Sequence, residues 1–369
     1  MMERGRLLVV SHPAVLPVNQ LVYAELAERG WRVDIVVPDH WEHEYGHITP
    51  EPLPALAACF HRLPIVFGHR PQRHLYRARP LHLLRQLRPD VLFLEQEPFS
   101  AVGLQWGLAA HRAGLPFGVQ AAENLDRLLP LPVRMWRAWV LRHAAFVAAR
   151  SETAASLVRR WGATGDVRLI PHHVPEWPVP SRTADAAFRV GFAGRLVPEK
   201  GLDILVDAIH RLGVGVELVI VGDGPLRSWL QEADLGGAGL RVLTGLGHDE
   251  MAGAYATMDV LVLPSRTTST WAEQFGRVLV EALWCGVPVV GSDSGEIPWV
   301  IDITGGGLVF PENDAAALAV VLGELRANPG ERTMLAERGR RAVRETFGVP
   351  AVADDLEEVL RLVAIARPG

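Results

Sequence analysis

The chain has 369 residues, of which 49% are hydrophobic and 21% are charged, and its formal net charge is -5. This composition is globular, and the length exceeds what one hydrophobic core normally supports, so we expect two domains. The negative charge argues against a general nucleic-acid binder. The two cysteines, Cys59 and Cys285, lie far apart and fit no metal or disulfide pattern.

Apolar runs are short throughout the chain. The first has four residues and ends before Ser11, which is too short for a signal peptide. No run approaches the roughly 20 residues that a membrane-spanning helix needs. We therefore expect a cytoplasmic protein, and attachment to the inner face of a membrane stays open as an alternative.

These runs alternate with helical patterns in chain order. In the first half, the predicted strands are residues 7–10, 31–37, 91–94, 117–120 and 146–149, and the predicted helices are residues 20–29, 101–113 and 133–143. A proline-rich segment, residues 171–187, breaks the alternation and predicts a linker. In the second half, strands are predicted at residues 189–193, 217–221, 241–243, 260–263 and 287–291, and helices at residues 277–284, 332–345 and 351–366.

Alternating strands and helices predict an α/β fold with parallel sheets covered on both faces. We predict two doubly wound, Rossmann-like domains at residues 1–172 and 188–348, joined by a linker at residues 173–187. Residues 349–369 form a final helix, with a return to the first domain as an open alternative. In such folds ligands bind at the carboxyl ends of the strands, and we expect a cleft there.

Lys200 is the single lysine in a chain that otherwise carries its positive charge on arginine. It follows an apolar strand and precedes a helix, a place where anions are often bound. A position that keeps lysine indicates a need for a compact ammonium on a flexible stem. Codon bias with one accidental lysine on a solvated loop is the alternative.

Two glutamates stand at either end of a short helical pattern, residues 277–284. Glu273 precedes this pattern and Glu281 lies inside it, two helical turns further on. The positive end of the helix dipole falls between the two carboxylates. A diphosphate fits that end, and each carboxylate can accept hydrogen bonds from a hydroxylated ring, although a helix cap and a solvated glutamate would give the same pattern.

Four motifs follow one another in the second half: Gly194-Arg195-x4-Lys200-Gly201, Val-Gly-Asp-Gly-Pro at residues 221–225, Leu-Pro-Ser at residues 263–265, and Glu-x7-Glu from Glu273 to Glu281. In this order and spacing the chain resembles the large family-4 group of retaining glycosyltransferases with the GT-B architecture. The motifs run from about residue 190 to 301, and the coarse alternation extends the resemblance over nearly the whole chain.

The resemblance implies roles for these residues. Arg195 and Lys200 would hold the donor diphosphate, Glu273 would contact the donor sugar near the reaction centre, and Glu281 would bind the nucleotide ribose. The remaining substrate contacts that it implies come from Gly194, Gly222, Gln274, Phe275, Gly276, Arg277 and Val278. The base would be bound largely through backbone near residues 244–248.

The expected reaction moves a sugar from a nucleotide-diphosphate donor to the hydroxyl of a glycan, a lipid-linked or a small-molecule acceptor, with retention of configuration. We find no Asp-x-Asp motif, which many transferases use to hold a metal. We therefore expect no metal and no cofactor. A sugar-nucleotide epimerase or phosphorylase on the same fold, or a non-catalytic sugar-nucleotide sensor, stays an alternative, and envelope polysaccharide or glycolipid synthesis is the expected context.

The first half departs from the family pattern. The loop at residues 11–20 lacks the usual glycine pair, and the strand at residues 117–120 is not followed by the usual histidine. Acceptor-side candidates are therefore drawn from residues that follow predicted strands: His12, Glu95, Glu97, Glu123 and Asn124. For the last four a structural role is as reasonable as a functional one, whereas His12 is better interpreted as a loop-stabilising residue than as a base.

Residues 61–88 carry seven arginines and no acidic residue. This local excess of positive charge predicts contact with anionic lipid headgroups or with a phosphorylated acceptor. The helix at residues 133–143, with Trp136, Trp139 and three arginines, suits the same interface. An arginine-rich solvated face with tryptophans packed in the core is the alternative.

Overall fold

The computed structural model describes residues 4–43, 46–68, 70–178 and 187–365. The chain divides into two compact units, one made of Met1–His173 with Val349–Gly369 and the other of Val174–Gly348. Most of the predicted linker, residues 179–186, lies outside the described residues. The last helix groups with the first unit.

The first unit is built on short strands with helices between them. Its strands are β1 (Gly5–Ser11), β2 (Trp31–Pro38), β3 (Trp41–His43), β4 (Gly46–Ile48), β5 (Phe60–Leu63), β6 (Ile65–Val66), β7 (Leu75–Tyr76), β8 (Val91–Glu95), β9 (Phe117–Ala121), β10 (Phe146–Ala149) and β11 (Asp166–Leu169). Its helices before the second unit are α1 (Leu21–Glu28), α2 (Pro80–Leu87), α3 (Ala101–Arg112), α4 (Leu131–His143) and α5 (Glu152–Arg160).

Seven of these strands form one parallel sheet in the order β11-β10-β9-β8-β1-β2-β5. The central strands are buried on both faces, which explains their continuous apolar runs. The strand order reverses between β1 and β8, so the carboxyl ends of these two strands mark the topological switch point. Ser11 and Glu95 pair in register at that edge.

The second unit repeats the pattern with a six-stranded sheet. Its strands are β12 (Phe188–Ala193), β13 (Val216–Val221), β14 (Gly239–Leu243), β15 (Val260–Leu263), β16 (Val289–Ser292) and β17 (Gly307–Phe310). Its helices are α6 (Leu202–Leu212), α7 (Arg227–Glu232), α8 (Met251–Ala256), α9 (Arg277–Trp284), α10 (Ile297–Thr304), α11 (Ala315–Ala327) and α12 (Pro329–Thr346).

All strand pairs of the second sheet are parallel, in the order β14-β13-β12-β15-β16-β17. The order reverses between β12 and β15. The segments that follow these two strands, residues 194–201 and 264–276, therefore leave the sheet at its switch point, where open α/β sheets bind ligands. These segments carry Lys200 and Glu273.

The last helix, α13 (Val349–Ile365), packs in the first unit. Glu357 anchors it by accepting hydrogen bonds from the Trp31 indole (3.0 Å) and from the Arg4 and Arg361 guanidinium groups (2.5 and 2.7 Å). Burial alone would raise the pKa of Glu357, but these hydrogen bonds and one from Arg29 outweigh it and lower the pKa to about 2. The helix is thus held by a carboxylate that stays ionised.

The predicted α/β class with two Rossmann-like parallel sheets is confirmed. Predicted and observed bounds agree for β10, β15 and α9, and differ by a few residues for the other predicted elements. The edge strands β5, β11 and β17 and the antiparallel pairs β3-β4 and β6-β7 were not predicted. No helix in the described part of the chain is both long and apolar enough to cross a bilayer.

Candidate functional site

Three motif segments meet at the switch point of the second unit. Gly201 has φ +66°, and a Cβ there would lie 2.0 Å from the carbonyl oxygen of Pro264, so only glycine permits this approach. The Arg266 N–H donates to the carbonyl of Glu199 (2.9 Å), which ties the same two segments together. Gly194 likewise donates to the carbonyl of Val221 (2.9 Å), at the end of the neighbouring strand.

Lys200 and Glu273 form a direct ion pair at this point. The Lys200 Nζ donates to Glu273 Oε2 at 2.5 Å, and the Ser265 hydroxyl donates to the same oxygen at 2.8 Å. Both charged side chains are largely buried, so their interaction is little screened by water. Although 73 residues separate them in the chain, the two strands that flank the switch point deliver them to one place.

Trp271 lies beside this pair. The Lys200 Nζ is 5.1 Å from the centroid of the indole ring, within cation–π range. The loop that carries the indole is closed on itself, since the Thr268 N–H donates to the Trp271 carbonyl (2.7 Å) and the Trp271 N–H donates to the Thr268 hydroxyl (3.0 Å). The tryptophan is therefore presented by a short, tied loop.

The helix α9 starts next to the ion pair. Its N-cap, Gly276, has φ +74° in the left-handed region, where a side chain would be strained. The Phe275 side chain is buried and packs near Phe347, with ring centroids 5.5 Å apart, so only its backbone can face a ligand. Gln274 is exposed, and Arg277 is half-buried in the first helical turn.

Val278, Arg195 and Gly222 complete the predicted donor contacts. Val278 is half-buried in α9, and Arg195 is half-buried directly after Gly194. Gly222 follows β13 and donates its N–H to the carbonyl of Leu243 (2.9 Å). The loops after β12 and β13 also interlock, because the Leu196 N–H donates to the Asp223 carbonyl at 2.9 Å.

Glu281 is buried in the second turn of α9 and is held by Tyr255 from α8. The Tyr255 hydroxyl donates to Glu281 Oε2 at 2.6 Å. Burial raises the pKa of Tyr255 well above its ordinary value, and the charge of Glu281 raises it further, so this phenol stays a donor. Nearby, the His248 ring lies 5.0 Å from the Trp177 ring, and burial lowers the His248 pKa.

In the first unit, His12 follows β1 and packs among aromatic rings. Its ring lies 4.8 Å from Trp41 and 5.4 Å from His74, and its Nδ1 contacts the side-chain amide of Gln96. Burial, and secondly His74, lower the pKa of His12 to about 3, so the imidazole is neutral. This environment supports the interpretation of His12 as a loop-stabilising residue.

Glu95 and Glu97 form hydrogen bonds with other groups of the first unit. Glu95 accepts from the Ser11 hydroxyl (2.6 Å) and from Arg150 (2.9 Å). Glu97 Oε1 accepts from the backbone N–H groups of Ala122 (2.8 Å) and Glu123 (3.1 Å). Burial raises the pKa of Glu97 to about 8.

The loop after β9 carries the last two acceptor-side candidates. Glu123 pairs with Arg127, its Oε2 lying 3.0 Å from the guanidinium Nη2. Asn124 is half-buried in the same loop. Glu97, Glu123 and Asn124 therefore come together, whereas Glu95 belongs to a different, fully internal network.

Three contacts of the donor side were missed from the sequence. Tyr255 stands 26 positions before Glu281 in a short helix that gives no chemical signal. Trp271 stands two positions before Glu273, and this proximity in the sequence was the available signal. Ser265 belongs to the recognised Leu-Pro-Ser motif, but its hydroxyl contact with Glu273 could not be read from that motif.

Two family models match the chain. Residues 187–328 match a model described as glycosyl transferases group 1, and residues 17–173 match a glycosyl transferase 4-like domain. Each match falls within one of the two units, and the matches follow in the order in which the units occur.

Individual proteins are similar over long stretches. The chain is 34% identical over 258 residues, 61% of its length, to a D-inositol 3-phosphate glycosyltransferase of Xylanimonas cellulosilytica. It is 35% identical over 253 residues, 63% of its length, to a GDP-mannose-dependent alpha-mannosyltransferase of Mycobacterium tuberculosis. The matched segments span 58% and 63% of the lengths of these two relatives.

The fold is shared with solved structures. A sucrose-phosphate synthase from Thermosynechococcus elongatus superposes with a TM-score of 0.73, covering 98% of this chain and all of that one, at 21% identity. At this identity the likeness concerns the fold alone.

Proposed function

Because the chain belongs to the group 1 glycosyl transferases, the family-4 group with the GT-B fold, we propose that it transfers a sugar from a nucleotide-diphosphate donor to an acceptor hydroxyl. The observation that carries the proposal is the Lys200–Glu273 ion pair at the switch point of the second unit. It brings a cation for phosphate and a carboxylate for sugar hydroxyls to the place where such sheets bind nucleotides.

Each charged group has a task in the proposed reaction. When the bond between the sugar C1 and the phosphate oxygen breaks, negative charge develops on the departing diphosphate. Lys200, Arg195 and the positive end of α9 stabilise that charge. Donor binding moves the Lys200 ammonium from Glu273 to the phosphate, and the carboxylate then accepts hydrogen bonds from the sugar.

The ribose is bound at the other end of the same helix segment. Glu281 accepts the ribose hydroxyls while the Tyr255 hydroxyl holds its carboxylate in place. Because Glu281 follows Glu273 by eight positions, this sequence separation sets the distance between the bound sugar and the bound ribose. The backbone from Gln274 to Val278 contacts the diphosphate between them.

The transfer retains the anomeric configuration. The acceptor oxygen attacks C1 from the face that the diphosphate leaves, and the acceptor proton passes to the departing phosphate oxygen. No protein nucleophile is needed in this route. Glu97, Glu123 and Asn124 form the acceptor side of the first unit.

The reaction needs no metal, since two cations and a helix terminus stabilise the leaving group. Turnover is therefore expected to be unchanged after treatment with EDTA. Activity that EDTA abolishes and that magnesium or manganese restores would contradict this part of the proposal without affecting the rest.

A binding panel followed by product analysis tests the function. UDP, GDP, ADP, TDP and their sugars are compared by thermal shift, since a ligand at 100 times its Kd adds about 2.7 kcal/mol of stability. The proposal expects one donor to bind and to release its nucleotide only when an acceptor is present. Conversion of the donor without an acceptor would identify an epimerase, phosphate-dependent cleavage a phosphorylase, and binding without any release a sensor.

The acceptor is a precursor of an envelope polysaccharide or a glycolipid. The protein binds it at the inner face of a membrane. All seven arginines of residues 61–88 are exposed, which supports an electrostatic contact of this stretch with anionic headgroups. Trp136 and Trp139 are half-buried instead, and the Trp136 indole donates to the Phe99 carbonyl (2.9 Å). These tryptophans therefore do not form the membrane contact.

A further inference from the structure

An apolar surface lies where α4 begins. Three large apolar side chains are unusually exposed within eight residues: Leu128 at 92%, and Leu131 and Met135 at 66% each. Leu131 and Met135 stand four positions apart and so share one face of the helix. This face points to solvent, where a helix of a globular protein ordinarily carries polar residues.

Positive charge surrounds these side chains. Arg134 and Arg142 are exposed on the same side of α4. Two acidic residues beside the surface are already paired with cations: Asp126 Oδ2 lies 3.6 Å from Arg160 Nη2, and Glu123 pairs with Arg127. The surface thus combines exposed apolar groups with a net positive charge, in a chain whose formal net charge is negative.

The arginine-rich stretch approaches the same place. The carbonyl of Gln72, between the exposed Arg70 and Arg73, accepts a hydrogen bond from the Ala101 N–H (3.0 Å). The Trp136 indole of α4 contacts Phe99, two residues before Ala101. Both segments therefore form hydrogen bonds with residues 99–101.

We propose that Leu128, Leu131 and Met135, with Arg134 beside them, form a docking surface that inserts into the headgroup region of an anionic lipid bilayer. The apolar side chains enter the acyl boundary while arginine contacts the lipid phosphates. The inference extends the membrane contact of residues 61–88 and does not depend on sugar transfer. Because Glu123 pairs with Arg127 at the edge of the surface, docking places the acceptor side at the bilayer.

Charge favours a bilayer over a second copy of the chain as the occupant. A two-fold contact through this surface would bring the same arginines of both copies together. Like charges in that position oppose association, whereas anionic headgroups attract every arginine of the surface. Dimerisation through this surface is therefore an outcome that the experiment must be able to detect.

The test is co-sedimentation of the full chain with vesicles of phosphatidylcholine alone or mixed with phosphatidylglycerol. The triple variant Leu128→Ser, Leu131→Ser, Met135→Ser is expected to lose binding to the mixed vesicles by about tenfold or more. Arg134→Glu is expected to weaken binding at low salt and to have little effect near 1 M salt, where the Debye length is about 3 Å. The matched control is Val214→Ser with Val320→Ser, two exposed apolar positions of the second unit, which should bind like wild type.

Three results would overturn the proposal: no binding of the wild-type chain to mixed vesicles at low salt, unchanged binding of the triple variant, or a wild-type dimer that the triple variant converts to a monomer. If the triple variant does not fold, the vesicle binding of Arg134→Glu at low and at high salt tests the proposal by itself. Nucleotide release with a water-soluble acceptor should be equal in all these variants. A failure of vesicle binding is thereby distinguished from a failure of the proposed sugar transfer.

Discussion

The switch points of the two sheets each hold a buried ion pair, but the two pairs are embedded differently. In the first unit, Arg150 donates to Glu95, to the Gln120 side chain (2.6 Å) and to the carbonyls of Ile170 and Pro171 (3.0 and 3.1 Å). In the second unit, Lys200 donates to Glu273 and lies against an indole.

The difference lies in how readily the cation can change partners. Releasing Arg150 would break several hydrogen bonds to groups that are themselves buried, which is costly. Releasing Lys200 breaks one ion pair, and an incoming phosphate can replace the carboxylate. An ion pair at a switch point is thus structural when its cation is tied to backbone, and suited to ligand binding when its partners can be exchanged.

The largest effect is expected from breaking the structural pair. Arg150→Met should lower the free energy of unfolding by about 3–5 kcal/mol, because Glu95 would be left buried with no cation. Chemical denaturation monitored by circular dichroism measures this. A loss below about 1 kcal/mol would mean that the two pairs do not differ as described.

For the Lys200–Glu273 pair, the main expected loss is in turnover and not in stability. Lys200→Ala and Glu273→Ala are each expected to lower turnover by about 10²-fold or more, the scale of losing one charge stabiliser, and to cost less stability than Arg150→Met because fewer buried groups lose a partner. Lys200→Arg is the control for charge, and it should stay impaired because a guanidinium does not reproduce a compact ammonium. Near-normal turnover of either alanine variant would remove that residue from its proposed role.

Glu97 is expected to make the stability of the protein depend on pH. Its folded-state pKa is raised to about 8, so folding takes up a proton and this stabilising contribution is lost as the pH rises towards and through 8. Glu97→Gln keeps an oxygen acceptor for the two backbone N–H groups and cannot ionise. Between pH 5.5 and 8.5, wild type should lose at least about 1.4 kcal/mol relative to this variant, by denaturation at both pH values. Parallel pH profiles would contradict the raised pKa.

The smallest effect concerns the ribose side. Tyr255→Phe removes the hydroxyl that holds Glu281 and should raise the KM for the donor by about five- to tenfold, the worth of one hydrogen bond, with kcat nearly unchanged. Tyr76→Phe is the matched control, since the Tyr76 hydroxyl is buried without a hydrogen-bond partner among the described residues. Equal KM values in the two variants would mean that Tyr255 does not position Glu281.

Central strands were predictable because they are buried on both faces and read as apolar runs. The edge strands β5 and β11 were not predicted, because charged and polar residues interrupt their apolar runs: β5 has the sequence Phe-His-Arg-Leu and β11 has Asp-Val-Arg-Leu. α9 was predicted with its observed bounds, because a helical apolar pattern runs up to a glycine.

At the site, the motifs and their spacing pointed to Lys200, Glu273 and Glu281. Their partners could not be predicted, since the contact with Tyr255 depends on how α8 packs beside α9. The apolar start of α4 was missed because composition highlights tryptophan, and only the structure shows that the exposed groups are leucine and methionine.

A single lysine has a practical consequence. Reagents that acylate primary amines can modify only the Lys200 side chain and the terminal amine of this sequence. A fluorescent or isotopic tag introduced through such a reagent would therefore mark the switch point of the second unit without any engineered position. Protection of Lys200 from acylation by a candidate nucleotide, followed by mass spectrometry, would then report occupancy of that point directly on the unaltered chain.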